Sequence, residues 1–314
     1  MPTAGKKTLV ARASSVLGVA VGIAGIVFVA RTLINKWDEV SDAFKQMDAL
    51  PLAASLVLAL GALTIIGSTW STILRHRNHH IPTATALSWY FTGQLGKYVP
   101  GGIWAIVGRA EMAVRGGTNR TDAYVSTGIS MMTTYLASVV VISVGSILSW
   151  TYPVIGIALL LGGILGLALY AQPSIHSMVL TLSKKYLPNG IVLAPWQVLL
   201  RYTTLHTPAW ILMSLSTSIT ASAFGAKVSV TEMFFFTATS WLIGFIAIGV
   251  PGGIGVRESV FTALATPAIG APLAVSIALA SRFVFIMADV IGAICSNAVV
   301  RLRSRATIST SRQQ

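Results

Sequence analysis

The sequence predicts an all-α integral membrane protein: six transmembrane helices plus two re-entrant helical hairpins, arranged as an inverted-topology repeat. Three observations carry that expectation. Of 314 residues, 54% are apolar and only 10% charged, too few polar groups to cover a water-soluble surface. The pentapeptide Val-Pro-Gly-Gly-Ile occurs twice, at residues 99–103 and 250–254, each time where an apolar helix would otherwise continue. Lysines and arginines gather in one alternating set of loops, as membrane orientation requires.

The elements follow in chain order. A span needs about 20 mostly apolar residues. Residues 13–34 qualify; Lys6, Lys7 and Arg12 precede them, and the stretch is too long for a cleaved leader, so it reads as an uncleaved signal-anchor. Residues 35–48 hold four of the nine acidic residues. Spans are expected at 50–74, 122–149, 153–171, 196–222 and 272–299, with Pro208 kinking the fifth. Residues 83–115 and 231–267 are long enough to cross but carry Pro-Gly-Gly near their middles, where a continuous helix is expensive. Both read as hairpins whose tips must be buried against other helices, because irregular backbone survives at membrane depth only there or along a water-filled cavity.

Orientation comes from the basic residues. Lys6, Lys7, Arg12, Arg75, Arg77, Arg115, Arg120, Lys184, Lys185, Arg301, Arg303, Arg305 and Arg312 fall on one side if the first hairpin returns to its own side. That side is the cytoplasm, which places both termini there, in a multi-pass protein of the cell (plasma or inner) membrane. Hairpin one then enters from inside and hairpin two from outside. Span, span, hairpin, span is repeated upside down, with residues 13–150 as the first repeat and 153–300 as the second. The chain 1–314 is one membrane domain with a basic tail at 301–314. The offset between the two prolines, 251 minus 100, is 151 residues; it carries the second span onto the fifth and the third onto the sixth.

Each break ends one half-helix and frees the start of the next, whose first amides lack partners and carry partial positive charge. Such a terminus attracts phosphate or carboxylate, and paired breaks in two halves point to a transporter site. Pro100, Gly101, Gly102, Pro251, Gly252 and Gly253 form the expected tips. Arg109 and Glu111 follow the first break, Arg257 and Glu258 the second. Each pair either fastens its hairpin or lines a polar cavity, since a charge at this depth is retained only when paired or hydrated. Arg282 lies near the middle of the last span and Asp289 two turns later, about 10 Å away, so the two should pair elsewhere. Arg282 either clamps hairpin two or holds an anionic group bidentately. Lys97, one turn before the first break, is a second cation for that group, or a snorkelling lysine. His206 is a hydrogen-bonded interior residue or part of a cavity wall.

Several classes are excluded. The net charge of +13 sits beside apolar runs, not on a soluble face, so nucleic acid is no partner. Cys295 is the only cysteine, which rules out a disulfide framework, and no cofactor or metal site is expected. The cluster Arg75, His76, Arg77, Asn78, His79 and His80 lacks the further ligands a metal needs and suits anionic headgroups. No nucleophile elbow, P-loop or zinc motif is present, so a transporter is expected in preference to an enzyme.

The run Gly96-Lys97-Tyr98-Val99-Pro100-Gly101-Gly102-Ile103-Trp104 with Gly108-Arg109, together with Pro251-Gly252-Gly253-Ile254-Gly255-Val256-Arg257-Glu258, resembles the transmembrane domain of lysylphosphatidylglycerol synthase/flippase proteins. The resemblance implies a lipid flippase. Its substrate would be a lipid with an anionic, phosphate-containing headgroup, either a phospholipid or a polyprenyl-phosphate-linked lipid. Arg109, Arg257 and Arg282 would bind the phosphate, with Lys97 beside them, while Glu111, Glu258 and Asp289 balance charge. Bifunctional relatives carry a soluble aminoacyl-transferase after the membrane region. Here a partner lipid synthase or glycosyltransferase would supply the chemistry, and an oligomer stays open. Two alternatives remain: an accessory subunit presenting a polyprenyl-phosphate lipid to a glycosyltransferase without moving it, and a membrane enzyme using Glu258 or Glu111 as a base on a lipid headgroup.

Overall fold

The computed structural model describes residues 27, 30–31, 34–77, 81–99, 103–186, 194–247 and 250–311. Among them there is helix and no strand: α1 (Trp37–Lys45), α2 (Ala49–Arg77), α3 (Thr83–Leu95), α4 (Trp104–Arg115), α5 (Arg120–Ser149), α6 (Pro153–Ala171), α7 (Pro173–Tyr186), α8 (Trp196–Ala223), α9 (Val230–Ile246), α10 (Val256–Ile269) and α11 (Ala271–Ser311). Single 3₁₀ turns lie at Gly96–Tyr98 and Pro251–Gly253.

Local chemistry sets several boundaries. The Thr121 N–H donates to Asn119 Oδ1 at 2.8 Å, capping α5, and Ser229 with Glu232 closes a reciprocal capping box on α9. Four described helices are long and apolar enough to cross a membrane: Ala49–His76, Arg120–Ser149, Pro153–Ala171 and Ala271–Arg305. The chain is a multi-pass membrane protein. Most of the span expected at 13–34 lies outside the described residues. The span expected at 196–222 is a 28-residue helix, α8, but too polar to count by apolarity. Its buried face carries Ser214, Ser216, Thr217 and Thr220, and a helix enclosed by protein does not need an apolar surface all round.

Small residues let α2 and α8 approach closely, as membrane packing favours. Ser55, Ala59 and Ala62 on α2 are fully buried, as are Ala209, Ser216 and Thr220 on α8, and Ser216 Oγ donates to the Ser55 carbonyl at 2.8 Å. The contrast is α6, which faces outward along nearly its whole length; only 6% of its span is buried. Residues 35–48, notable in the sequence for their acidic side chains, contain α1, whose Phe44 meets Phe224 edge-on at 5.2 Å.

The packing repeats with the two halves exchanged. Helix α3 lies against α11 and α2, whereas α9 lies against α5 and α8; α4 returns to α5, and α10 to α11. Within each hairpin the arms run antiparallel. A Cβ on Gly93 of α3 would stand 2.9 Å from the Arg109 Cβ of α4, and one on Gly244 of α9 would stand 3.1 Å from the Arg257 Cβ of α10. Only glycine admits the first of these approaches.

Candidate functional site

The second break shows how the chain turns. Gly252 and Gly253 adopt φ of 55° and 68°, the left-handed region that glycine enters without steric cost. Gly253 also presses on the arm it follows, for a Cβ there would meet the Gly244 carbonyl oxygen at 2.9 Å. Pro100, Gly101 and Gly102 lie outside the described residues. Their flank, the turn Gly96–Tyr98, touches the second tip, and a Cβ on Gly252 would lie 3.3 Å from the Lys97 carbonyl oxygen. The flank of the first break therefore meets the second tip.

Around that meeting point most charges are already paired. Lys97 Nζ lies 2.6 Å from Asp289 Oδ2, with Asp289 fully buried, and Tyr98 OH donates to the same oxygen at 2.5 Å. Arg282 Nη1 donates to the Gly252 carbonyl at 2.8 Å and stands 3.4 Å from Glu258 Oε1. That ion pair is not aligned as a hydrogen bond, and Oε1 has no hydrogen-bond partner. The other oxygen, Oε2, accepts from the Gly255 N–H at 2.7 Å. Glu258 thus caps the start of α10 with its own carboxylate, so this half-helix terminus, expected to attract an external anion, already holds one. Arg282 and Asp289 do pair elsewhere, Arg282 as a clamp on the second tip. Glu111 stands apart from this cluster, accepting from Arg120 at 2.6 Å and Tyr124 OH at 2.5 Å on a partly exposed surface.

Two arginines differ from all of these. Arg109 is 6% exposed and Arg257 5% exposed, and among the described residues neither has an ion pair. Each lies over aromatic rings. The Arg109 guanidinium carbon is 5.7 Å from the Trp70 centroid and 5.8 Å from that of Tyr90; that of Arg257 is 3.6 Å from the Trp241 centroid and 5.4 Å from that of Phe285. Tyr90 and Trp241 are 151 residues apart, as are Gly93 and Gly244, so each hairpin presents an aromatic residue, a glycine three residues later, and an arginine from the returning arm. The short spacing Tyr90-x-x-Gly93 against Trp241-x-x-Gly244 was the sequence signal for these rings. Nothing in the sequence assigned them as arginine supports.

Arg109 opens into a cavity of about 450 Å³. Its polar side includes Tyr90, Gln94, Lys97, Ser130, Thr134 and Tyr135, and Leu63, Ile66, Ile106, Met131 and Met213 form apolar wall. Within it Arg109 Nε, Tyr90 OH and Ser130 Oγ are buried with no hydrogen-bond partner. Ile103, Phe245 and Ile246 line the same cavity and are exposed, so apolar side chains border its open part. Of the site residues expected from sequence, the cavity gathers Lys97, Arg109, Gly252 and Gly253. His206, fully buried, is hydrogen-bonded to the Tyr202 carbonyl at 2.8 Å and contacts Thr133 Oγ1 at 3.2 Å; it is an interior residue and not part of this wall. No group of three or more metal-ligating side chains occurs among the described residues.

Cation–π contact returns about 0.5–2 kcal/mol per ring, whereas a buried ion costs several kcal/mol. An arginine left in that deficit beside unpartnered hydroxyls suits an anion that also accepts hydrogen bonds. Residues 15–292 match a family described as lysylphosphatidylglycerol synthase TM region. Among curated proteins none matches the chain.

Proposed function

We propose that this chain, which belongs to the lysylphosphatidylglycerol synthase TM-region family, is a flippase for a lipid with an anionic, phosphate-containing headgroup. The observation that carries the reading is Arg109, buried without a counter-charge in a cavity of about 450 Å³ whose mouth is apolar. The headgroup phosphate sits on Arg109, with Ser130, Thr134 and Tyr135 donating to its oxygens, and the tails leave through the mouth beside Ile103 and Ile246. Lys97 and Arg282, neutralised by Asp289 and Glu258, hold the two breaks together and do not bind the phosphate directly. The contact pattern that exchanges the two halves supports an inverted repeat; on this reading it comprises six spans and two re-entrant hairpins in the cell membrane, and the basic loops and tail support cytoplasmic termini. Rocking of one half against the other then presents the headgroup to each leaflet. The substrate is a phospholipid or a polyprenyl-phosphate-linked lipid, supplied or used by a separate lipid synthase or glycosyltransferase; this chain itself performs no chemistry.

Purified protein in phosphatidylcholine vesicles containing fluorescent phosphatidylglycerol or a polyprenyl phosphate tests this. Wild type is expected to move at least one of them, and Arg109→Gln to slow that movement by about 10–100-fold, the loss of one charge-assisted, fully desolvated contact. Arg109→Lys restores little, because an ammonium neither stacks on Trp70 and Tyr90 nor donates bidentately. Undiminished movement in folded Arg109→Gln overturns the site. Binding without movement by wild type identifies the accessory, lipid-presenting role, and a chemically altered lipid the enzymatic one.

A further inference from the structure

We infer that Arg257 is a second anion site, equivalent to that of Arg109, which is shut in this conformation and opens when the halves exchange their packing. The inference rests on the flippase reading above. Two matched arginines differ in their surroundings. Both are buried, both lie on aromatic rings, and both return beside a glycine of the preceding arm. Arg109 faces about 450 Å³. Arg257 faces a void of about 10 Å³, shared with Thr217, Thr237, Ser240, Glu258 and Ser281, scarcely room for one water.

That void has the chemistry of a site and lacks its space. Thr217, Ser240 and Ser281 send their hydroxyl protons to carbonyls of their own helices, while Thr237 Oγ1 and Glu258 Oε1 are buried without hydrogen-bond partners. Summed over Arg257, Glu258 and its ion-pair partner Arg282, one positive charge is uncompensated. Packing side chains could have filled the position with apolar groups at lower cost. In the first hairpin the same arrangement opens into the large cavity. A chain whose halves make exchanged contacts has a second state in which the two halves trade conformations, and in it Arg257 faces the large cavity and Arg109 the small void. The phosphate-bearing headgroup then passes from one arginine to the other, each serving one leaflet, instead of meeting all the arginines at a single midplane site.

Single-cysteine variants Ser130→Cys and Thr237→Cys, on a Cys295→Ser background that removes the only native cysteine, read both sites. They are reconstituted in one orientation into phosphatidylcholine vesicles and exposed to a charged methanethiosulfonate reagent on one face or the other. Ser130→Cys is expected to react from one face. Thr237→Cys is expected to react from the opposite face and about 10–1,000-fold more slowly, as a minor state populated at 0.1–10% dictates. Added phosphatidylglycerol protects both; protection by inorganic phosphate alone overturns the lipid source. Thr237→Cys inert from both faces, or reactive from the same face as Ser130→Cys, overturns the second site and leaves the first standing. An inert Ser130→Cys overturns the open cavity itself. A folded Arg257→Gln that moves phosphatidylglycerol at the wild-type rate also rejects the second site, whatever Arg109→Gln does.

Discussion

Arg109, Arg257 and Arg282 carry the same charge at similar burial, and their surroundings divide them. Arg282 has Glu258 and the Gly252 carbonyl; Arg109 and Arg257 lie over aromatic faces and, among the described residues, have no ion pair. The sequence placed all three beside the breaks but not their partners, because Glu258 and Arg282 are 24 residues apart and Lys97 and Asp289 are 192 apart. Glu111, grouped with the site on sequence proximity to Arg109, turns to Arg120 and Tyr124 instead: two residues along a helix is about 200° of rotation, so the neighbours face opposite ways. The Lys97–Asp289 pair makes its own prediction. Asp289→Asn strands a buried ammonium and is expected to destabilise the protein by roughly 3–5 kcal/mol, whereas Lys97→Met with Asp289→Leu removes both charges and recovers much of that loss. Thermal unfolding in detergent of Asp289→Asn and of the double variant reads this. A double variant less stable than Asp289→Asn contradicts it.

At the scale of elements, the two helix breaks were legible because Pro and Gly act on the backbone of their own segment. The expected limits 83–115 coincide with the start of α3 and the end of α4, and 231–267 fall within two residues of the start of α9 and the end of α10. Helix α1 escaped because nine residues with three acidic side chains resemble a loop; only contact with Phe224 and the last span makes the helix pay, through burial of one face. Helix α8 was expected as a span at 196–222, and its serines and threonines are accommodated because they bond to their own helix or to α2. The tight arm of hairpin two gives a prediction here. Gly253→Ala meets both a left-handed φ and the Gly244 carbonyl, so it is expected to cost about 1–3 kcal/mol. Gly162→Ala, on α6 where a Cβ meets nothing within 4 Å, should leave stability unchanged or slightly raised. Unfolding midpoints of the two variants that coincide would falsify the account of the tip.

For the whole molecule, topology is the property most open to a direct check. A reporter active only outside the cytoplasm is expected to be silent when fused after Gln314 and active when inserted within residues 35–48; the reverse pattern inverts the orientation. Composition and the two breaks determine by themselves that the chain lives in a membrane, that two of its apolar segments are interrupted, and where the scarce charges enter the apolar interior. These are properties of local segments and their solvent, so they are written in consecutive residues. Which arginine is left without a carboxylate, which glycine admits which arm, and that Arg109 borders a large cavity while Arg257 borders a small void were decided only by tertiary structure. Each depends on the distance between residues far apart in sequence, and a few ångströms separate a neutralised buried charge from one that still requires an anion.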